Sequence, residues 1–413
     1  MRGLLIVVGV AAMVLVLSAC GSGSRPRPHT ASVATTPPPP PPPPPKPPPR
    51  PTDTAWPLYG YDLARTRFFP HADRLDPPFR VGWRFSDGAL LEFPPVIYDN
   101  TLYFQDINGY ARAVSTMTGR VLWVHRVGTL AAASPALDPR HKLIFFTELS
   151  TSPGASVPGN GAVVALSMKT GRRAWSRALP AGSESSPLVH GLSVFLGDQG
   201  GTVYSLRTYD GHLNWAFGAS GAVKGGVAFA HDTIYFDDYG GHVYALSAAN
   251  GREIWSAGTG DNNYSTPAVA YGRVYLGSTN GRVYAFWASS GALDWSDSTG
   301  GYVYSSPAVA DVPGLGPTVY IGSYDGVFRA YNALTGGERW SHSGGGRIDG
   351  SATVLGKVVY YSALGSNTSV GLDLWTGRQV FSYPDGEFTP VITDGKAVFL
   401  VGYSTIYQLL PRR

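Results

Sequence analysis

From residue 79 onward, hydrophobic and polar positions alternate with a period of two in runs of five or six residues. "RVYLGSTNGRVYAFW" (273–287) is representative: two β-branched and aromatic runs flank a turn. The turns read "TNG", "YDG", "QGG" and "YGG". Such triplets suit tight hairpins whose central residues need positive φ. No stretch of this region sustains the 3.6-residue period of an amphipathic helix, and the chain holds 52 glycines. The pattern predicts an all-β fold of short antiparallel strands.

The strands recur in register. A Gly-x-x-x-Trp anchor appears as "GRVLW" (Trp123), "GRRAW" (Trp175), "GHLNW" (Trp215), "GREIW" (Trp255), "GALDW" (Trp295) and "GGERW" (Trp340), and closes as "GRQVF" (Phe381). An earlier "VGWRF" supplies Trp83 without the strand before it, and the spacings from Trp83 onward are 40, 52, 40, 40, 40, 45 and 41 residues. About twelve residues after most anchors a Ser/Thr-Pro-type marker follows, as in "SPAL" (Pro135), "SPLV" (Pro187), "TPAV" (Pro267) and "SPAV" (Pro307). Two copies, around Gly226 and Ser351, have lost the proline. A unit of about forty residues with four strands, A to D, has the size of a propeller blade. Seven complete units lie between Trp83 and Phe381; the C-terminal "FTPVITDGKAVFLVGYSTIYQLL" supplies strands A to C, and "FRVGWRF" near the start supplies a lone D strand. Joining the two ends gives an eighth blade and closes the ring, which removes exposed sheet edges. The expected architecture is therefore an eight-bladed β-propeller of four-stranded antiparallel blades, closed by pairing of an N-terminal strand with the C-terminal blade. The repeated Trp83, Trp123, Trp175, Trp215, Trp255, Trp295 and Trp340, with Phe381, are expected to dock blade on blade, using the Gly for close approach.

The ends change the picture. "MRGLLIVVGVAAMVLVLSAC" has a basic start and an apolar run from Leu4 to Leu17. The run is short for a membrane span, which needs ~20 residues, and suits a signal-peptide core. The terminal "LSAC" resembles the lipobox of bacterial lipoproteins, which implies cleavage and lipidation at Cys20. Cys20 is also the sole cysteine, so no internal disulfide and no Cys cluster for zinc is available. Residues 21–55 read as a linker. The proline tract from Pro37 to Pro51 cannot enter a helix interior or a sheet ladder, and predicts an extended spacer rising ~3.1 Å per residue. The expected division is signal peptide 1–20, linker 21–55 and propeller 56–413. The protein is expected to be exported, anchored by lipid to the outer side of a bacterial membrane, and monomeric.

The formal charge of +4 misleads. Five of the 32 basic residues precede Asp53, the first acid, so from residue 52 onward 27 face 28 Asp and Glu. A near-neutral body without a basic tract in its sequence disfavours nucleic-acid binding.

The anchor context, Ala-Leu-x-x-x-Thr-Gly-x-x-x-Trp, stands here as "AVSTMTGRVLW", "ALSMKTGRRAW" and "ALSAANGREIW". It resembles the tryptophan-docking repeat of the PQQ-like, quinoprotein-type propellers, over about residues 55–410. "WPLYGYDLARTRFFP" (56–70) is similar to the entry segment of many of these proteins. The family often carries Asp at the third motif position; only Asp373 fits among Ser115, Ser167, Arg207, Ser247, Trp287, Asn332 and Asp373. Two branches are implied. In the quinone-dependent dehydrogenases the cofactor supplies the chemistry, with a Ca²⁺ site, a catalytic Asp and a vicinal Cys–Cys disulfide against PQQ. This chain lacks the Cys pair and the long insertions of that branch, so neither PQQ nor Ca²⁺ is expected. The lipid-anchored envelope propellers similar to BamB fit better: they imply a non-catalytic protein-interaction scaffold in the cell envelope, with envelope proteins as partners. The long proline linker departs from that branch's pattern. The alternative is a small-molecule or glycan sensor.

No catalytic constellation or metal-ligand spacing stands out; His212, His231 and His242 read as surface residues. The candidate binding region is the channel mouth, where the residues just before each strand A should converge. These include Glu92, Glu184, Lys224, Tyr264, Tyr304, Arg347, Asp349 and Glu387. A concave mouth with convergent polar groups is a ligand-site candidate. The spacing of 52 arises from an expanded B–C loop, "ELSTSPGASVPGNG" (148–161), expected on the mouth face; the spacing of 45 arises from "DVPGLGP" (311–317), expected on the opposite face.

Overall fold

The computed structural model describes residues 55–412, apart from 73, 153–158 and 389–390. Cys20, the signal segment and nearly all of the linker lie outside the described residues, as does the middle of the expanded loop. The described chain is all strand and turn.

Eight sheets form the blades. Seven consist of consecutive strands in order A-B-C-D, spanning 96–126, 136–178, 188–218, 228–258, 268–298, 308–343 and 353–383 (blades 1 to 7). Blade 8 pairs Thr405–Pro411 with the N-terminal strand Phe79–Ser86, antiparallel, with Phe79 opposite Pro411 and Ser86 opposite Thr405. The ring therefore closes as the split repeat predicts.

Neighbouring blades are held at two radii. On the outside, each docking Trp lies on the C–D turn of the next blade. Trp83, Trp123, Trp175, Trp215, Trp255, Trp295 and Trp340 all donate the indole N–H to a backbone carbonyl there, at 2.8–3.0 Å. The anchor Gly sits beneath the ring: a Cβ at Gly251 would stand 2.6 Å from the Trp215 ring, and its φ is +71°. Both facts exclude a side chain. Phe381 departs from this set. It packs against Phe79 with ring centroids 5.5 Å apart, because blade 8 is made from two chain ends and has no covalent C–D turn to receive an indole.

On the inside, the Ser/Thr of the proline marker bridges blades. The backbone N–H of Ser134 donates to the Ser186 hydroxyl, Gly226 to Thr266, Thr266 to Ser306, and Ser306 to Ser351, at 2.8–3.1 Å. Ser351 keeps this role although its proline is gone. Gly226 has lost the hydroxyl, as has Pro94, which stands at this position in blade 1.

The entry segment does more than lead into the first blade. Its carbonyls run past the inner strands and accept from the second residue of the A strands of blades 2 and 4 to 7. Pro57 accepts from Leu137, Leu63 from Phe229, Ala64 from Val269, Thr66 from Val309 and Arg67 from Val354, at 2.7–3.0 Å. Phe68–Phe69 adds a short parallel strand to blade 7. These bonds satisfy inner-edge donors that a bare channel would leave to water. Arg65 is wholly buried at the centre. It donates to the carbonyls of Val227, Ser186 and Pro187 at 2.8–3.1 Å, and also to that of Tyr59. Residues 56–70 carry no repeat motif that marks them as a plug.

Candidate functional site

Above the plug the D–A loops converge on a small cavity of about 60 Å³. Six of the eight predicted mouth residues line it: Glu92, Glu184, Lys224, Tyr264, Tyr304 and Asp349. Its floor is Tyr59 of the entry segment, whose hydroxyl meets Ser351 Oγ at 2.9 Å. Arg347 stands apart. Its guanidinium lies over the Tyr324 ring at 5.7 Å, beside a second, open groove lined by Tyr302, Tyr304 and Tyr324. Glu387 is half-buried and does not line the cavity; Phe388 takes that place, although Glu387 remains close enough to act electrostatically on Glu92 and Asp349.

The ordered centre of the mouth is Glu184. Its carboxylate meets Lys224 Nζ at 3.0 Å and accepts from Gln199 Nε2 at 2.8 Å and Tyr264 OH at 3.2 Å. Lys224 in turn lies over the Tyr239 ring at 4.6 Å and the Tyr264 ring at 5.6 Å, an arrangement that stabilises a cation. Gln199, Tyr239 and Tyr324 come from B–C turns, the second layer of loops on this face. Marker spacing does not index these residues, because they lie in a different set of turns.

Across the mouth, Glu92 is held differently. Burial, reinforced by Glu184 and Asp349, pushes its carboxyl up to about 7, with Lys224 pulling the other way. Burial likewise raises Asp349 to about 6, against a hydrogen bond from Tyr324. Near neutral pH the mouth thus mixes one fixed ion pair with carboxyls poised to exchange protons, a mixture often found where ligands bind. Among the described residues no group of three or more His, Cys, Asp or Glu is placed to hold a metal ion.

The described ends of the expanded loop lie on this face. Thr129 and Leu130, in the D–A loop leading into blade 2, bond to Ser150, at its near end. The 311–317 insertion lies on the other face, where the Trp375 indole donates to the Pro313 carbonyl at 3.0 Å. The third-position Asp373 caps its own turn, accepting from the N–H groups of Trp375 and Thr376 and from the Thr376 hydroxyl at 2.7–3.1 Å.

The family described as outer membrane protein assembly factor BamB matches the chain over residues 80–187, 147–223 and 199–411. The chain belongs to that family. No curated protein sequence matches it. Among solved structures, BamB from Moraxella catarrhalis is similar at 16% identity and a TM-score of 0.65, over 82% of this chain and 99% of that one. The quinohemoprotein alcohol dehydrogenase from Comamonas testosteroni is similar at 15% identity and 0.70, over 87% and 81%. A computationally designed protein, Ika8, is similar at 15% and 0.65, over 83% and 100%. An assembly factor, an enzyme and a design thus share the fold, so these likenesses speak to architecture and not to activity. The chain is a PQQ-like propeller of BamB type.

Proposed function

We propose that this protein is a non-catalytic scaffold of the cell envelope, exported and lipid-anchored at Cys20, that binds envelope proteins through its channel-mouth face. It works as a monomer and needs neither PQQ nor Ca²⁺. The observation that carries the reading is the asymmetry of the two faces. The mouth face gathers Glu92, Glu184, Lys224 and Asp349, the tyrosines of blades 4 to 6, and the expanded loop, whose stretch 153–158 lies outside the described residues. Tyr302 is 53% exposed there. Tyrosine and arginine on a rigid rim are the residue types that dominate protein interfaces. The family's printed role in outer membrane protein assembly supports a partner-binding function. Dehydrogenase chemistry is disfavoured because a chain with one cysteine cannot form a vicinal disulfide.

A photo-crosslinking residue placed at Tyr302 should give discrete protein adducts in intact membranes, and one at Trp375, on the opposite face, should not. Deleting 151–159 should weaken the adducts. Equal adducts from both faces would refute the assignment. A second reading, a small-molecule or glycan site, rests on the cavity itself; a ligand-induced rise in melting temperature that is lost in Glu184→Gln would support it.

A further inference from the structure

Eight blades built on one repeat provide their own controls, and the outer wall is where they differ. The outward positions of the D strands are small or polar in most blades: Ala174 and Ser176 in blade 2, Asn214 and Ala216 in blade 3. In blade 1 they are Leu122 and Val124, 57% and 52% exposed, with Met117 at 71% in the turn below and Val121 at 44% beside them. This strand, Val121–Arg126, is the free edge of its sheet. Exposed apolar edge strands are normally blunted by charge, and contiguous apolar exposure marks an interaction site.

The charge around this strip is one-signed. The outer segments of blades 8, 1 and 2, residues 79–86, 116–128 and 168–183, contain no Asp or Glu. They expose Arg80, Arg84, Arg120, Arg126, Arg172 and Arg173, none of which is in an ion pair among the described residues. The three blades are contiguous in the ring, since Trp83 docks on Gly119 and Trp123 on Gly171. The outer segments of blades 3 to 6 instead carry Asp210, Glu253, Asp294, Asp297 and Glu338. The near-neutral total therefore hides a polarised wall.

We propose that the wall formed by blades 8, 1 and 2 docks on an anionic lipid bilayer, with Met117, Leu122 and Val124 entering the interface and the arginines engaging lipid phosphates. An acid-free surface three blades wide complements an extended plane of negative charge better than it complements a single acidic strand, which would engage blade 1 alone. Basic residues at such a surface are drawn to the negative potential of anionic lipid, and the apolar tips add burial. The disc then stands edge-on to the membrane, with its mouth turned sideways toward partners. The inference shares with the functional reading only the presence of a nearby membrane.

The test uses the full chain with Cys20→Ser, which abolishes lipidation and leaves no other thiol. An environment-sensitive fluorophore is attached through Leu122→Cys, or through Ser298→Cys on the opposite wall. Vesicles of phosphatidylglycerol and phosphatidylcholine should shift the probe at 122 and leave the probe at 298 unchanged. Vesicles of phosphatidylcholine alone should shift neither. Combined Arg80→Ser, Arg84→Ser, Arg120→Ser and Arg126→Ser should weaken the response at 122 at least tenfold while leaving the melting temperature in place. No shift at 122, or equal shifts at 122 and 298, would overturn the proposal. So would a response at 122 to soluble polyglutamate and not to vesicles, which would assign the wall to an acidic protein. Loss of lipidation does not enter the readout, so failure here leaves the anchored-scaffold reading standing.

Discussion

Trp215 donates its indole N–H to the Ala248 carbonyl of the next blade at 3.0 Å, while Gly251 lies under its ring. The contact couples a hydrogen bond to a close approach, and either half can be removed alone. Trp215→Phe keeps an aromatic ring but loses the N–H and part of the indole, and should cost about 1–3 kcal/mol from the lost bond and the void together. Gly251→Ala forces a Cβ against the ring at positive φ, and should cost about 1–3 kcal/mol from overpacking alone. Thermal melting of the two variants checks both. An unchanged melting temperature for the glycine variant would mean the turn can move away, contrary to the packing.

The seam behaves differently. Phe381 faces the Phe79 ring where every other docking residue faces a covalent turn. Phe381→Trp restores the repeat consensus, yet it has no equivalent carbonyl to meet. It should leave stability unchanged or lower it by about 1–3 kcal/mol. A clear rise in melting temperature would show that the seam offers an acceptor after all.

How much of this was legible beforehand follows from where the repeat is strict. The blade count, the split eighth blade and the docking role of the tryptophans came from spacing, because the same contact must recur wherever the same blade packs on its neighbour. The convergence of Glu92, Glu184, Lys224 and Asp349 was legible for the same reason: residues at one offset from a marker share one height in the channel. Gln199, Tyr239 and Tyr324 were not, since B–C turns reach the mouth through loop geometry that the marker does not index. Arg347 and Glu387 drifted off the cavity because the loops before blades 7 and 8 depart from the repeat. The plug was illegible because residues 56–70 lie outside the repeat, and its bonds are made by carbonyls, which sequence does not distinguish.

Arg65 is the residue on which the plug depends. Burial, with Arg67 as the next cause, lowers its guanidinium to about 9, so it still carries its charge at neutral pH, satisfied by carbonyls of the plug and of blades 3 and 4. Arg65→Ala should destabilise by about 3 kcal/mol or more, because four buried carbonyls lose their donors at about 1–3 kcal/mol each. Arg65→Lys should rescue little, because an ammonium cannot reach four carbonyls set for a planar fork. Urea denaturation of both variants tests this; full rescue by lysine would show that charge matters and geometry does not.

Glu92 makes the mouth sensitive to pH. Its folded-state value of about 7 stands above the ordinary 4.5, chiefly through burial and then through Glu184 and Asp349. Between those two values the folded state retains a proton that the unfolded chain has released, so stability falls as pH rises through this window and levels off above it. Asp349, raised to about 6, contributes in the same direction. Glu92→Gln fixes the neutral form. The variant should match the parent near pH 3.5, where the parent side chain is largely protonated in both the folded and the unfolded chain, and should melt higher than the parent at pH 8, where the parent must hold a buried carboxylate. Melting curves at the two pH values separate this from a packing effect, which would shift both by the same amount. A pH-independent difference would mean that the Glu92 carboxyl is solvated in the folded protein, and that the mouth is a more open rim than its geometry indicates.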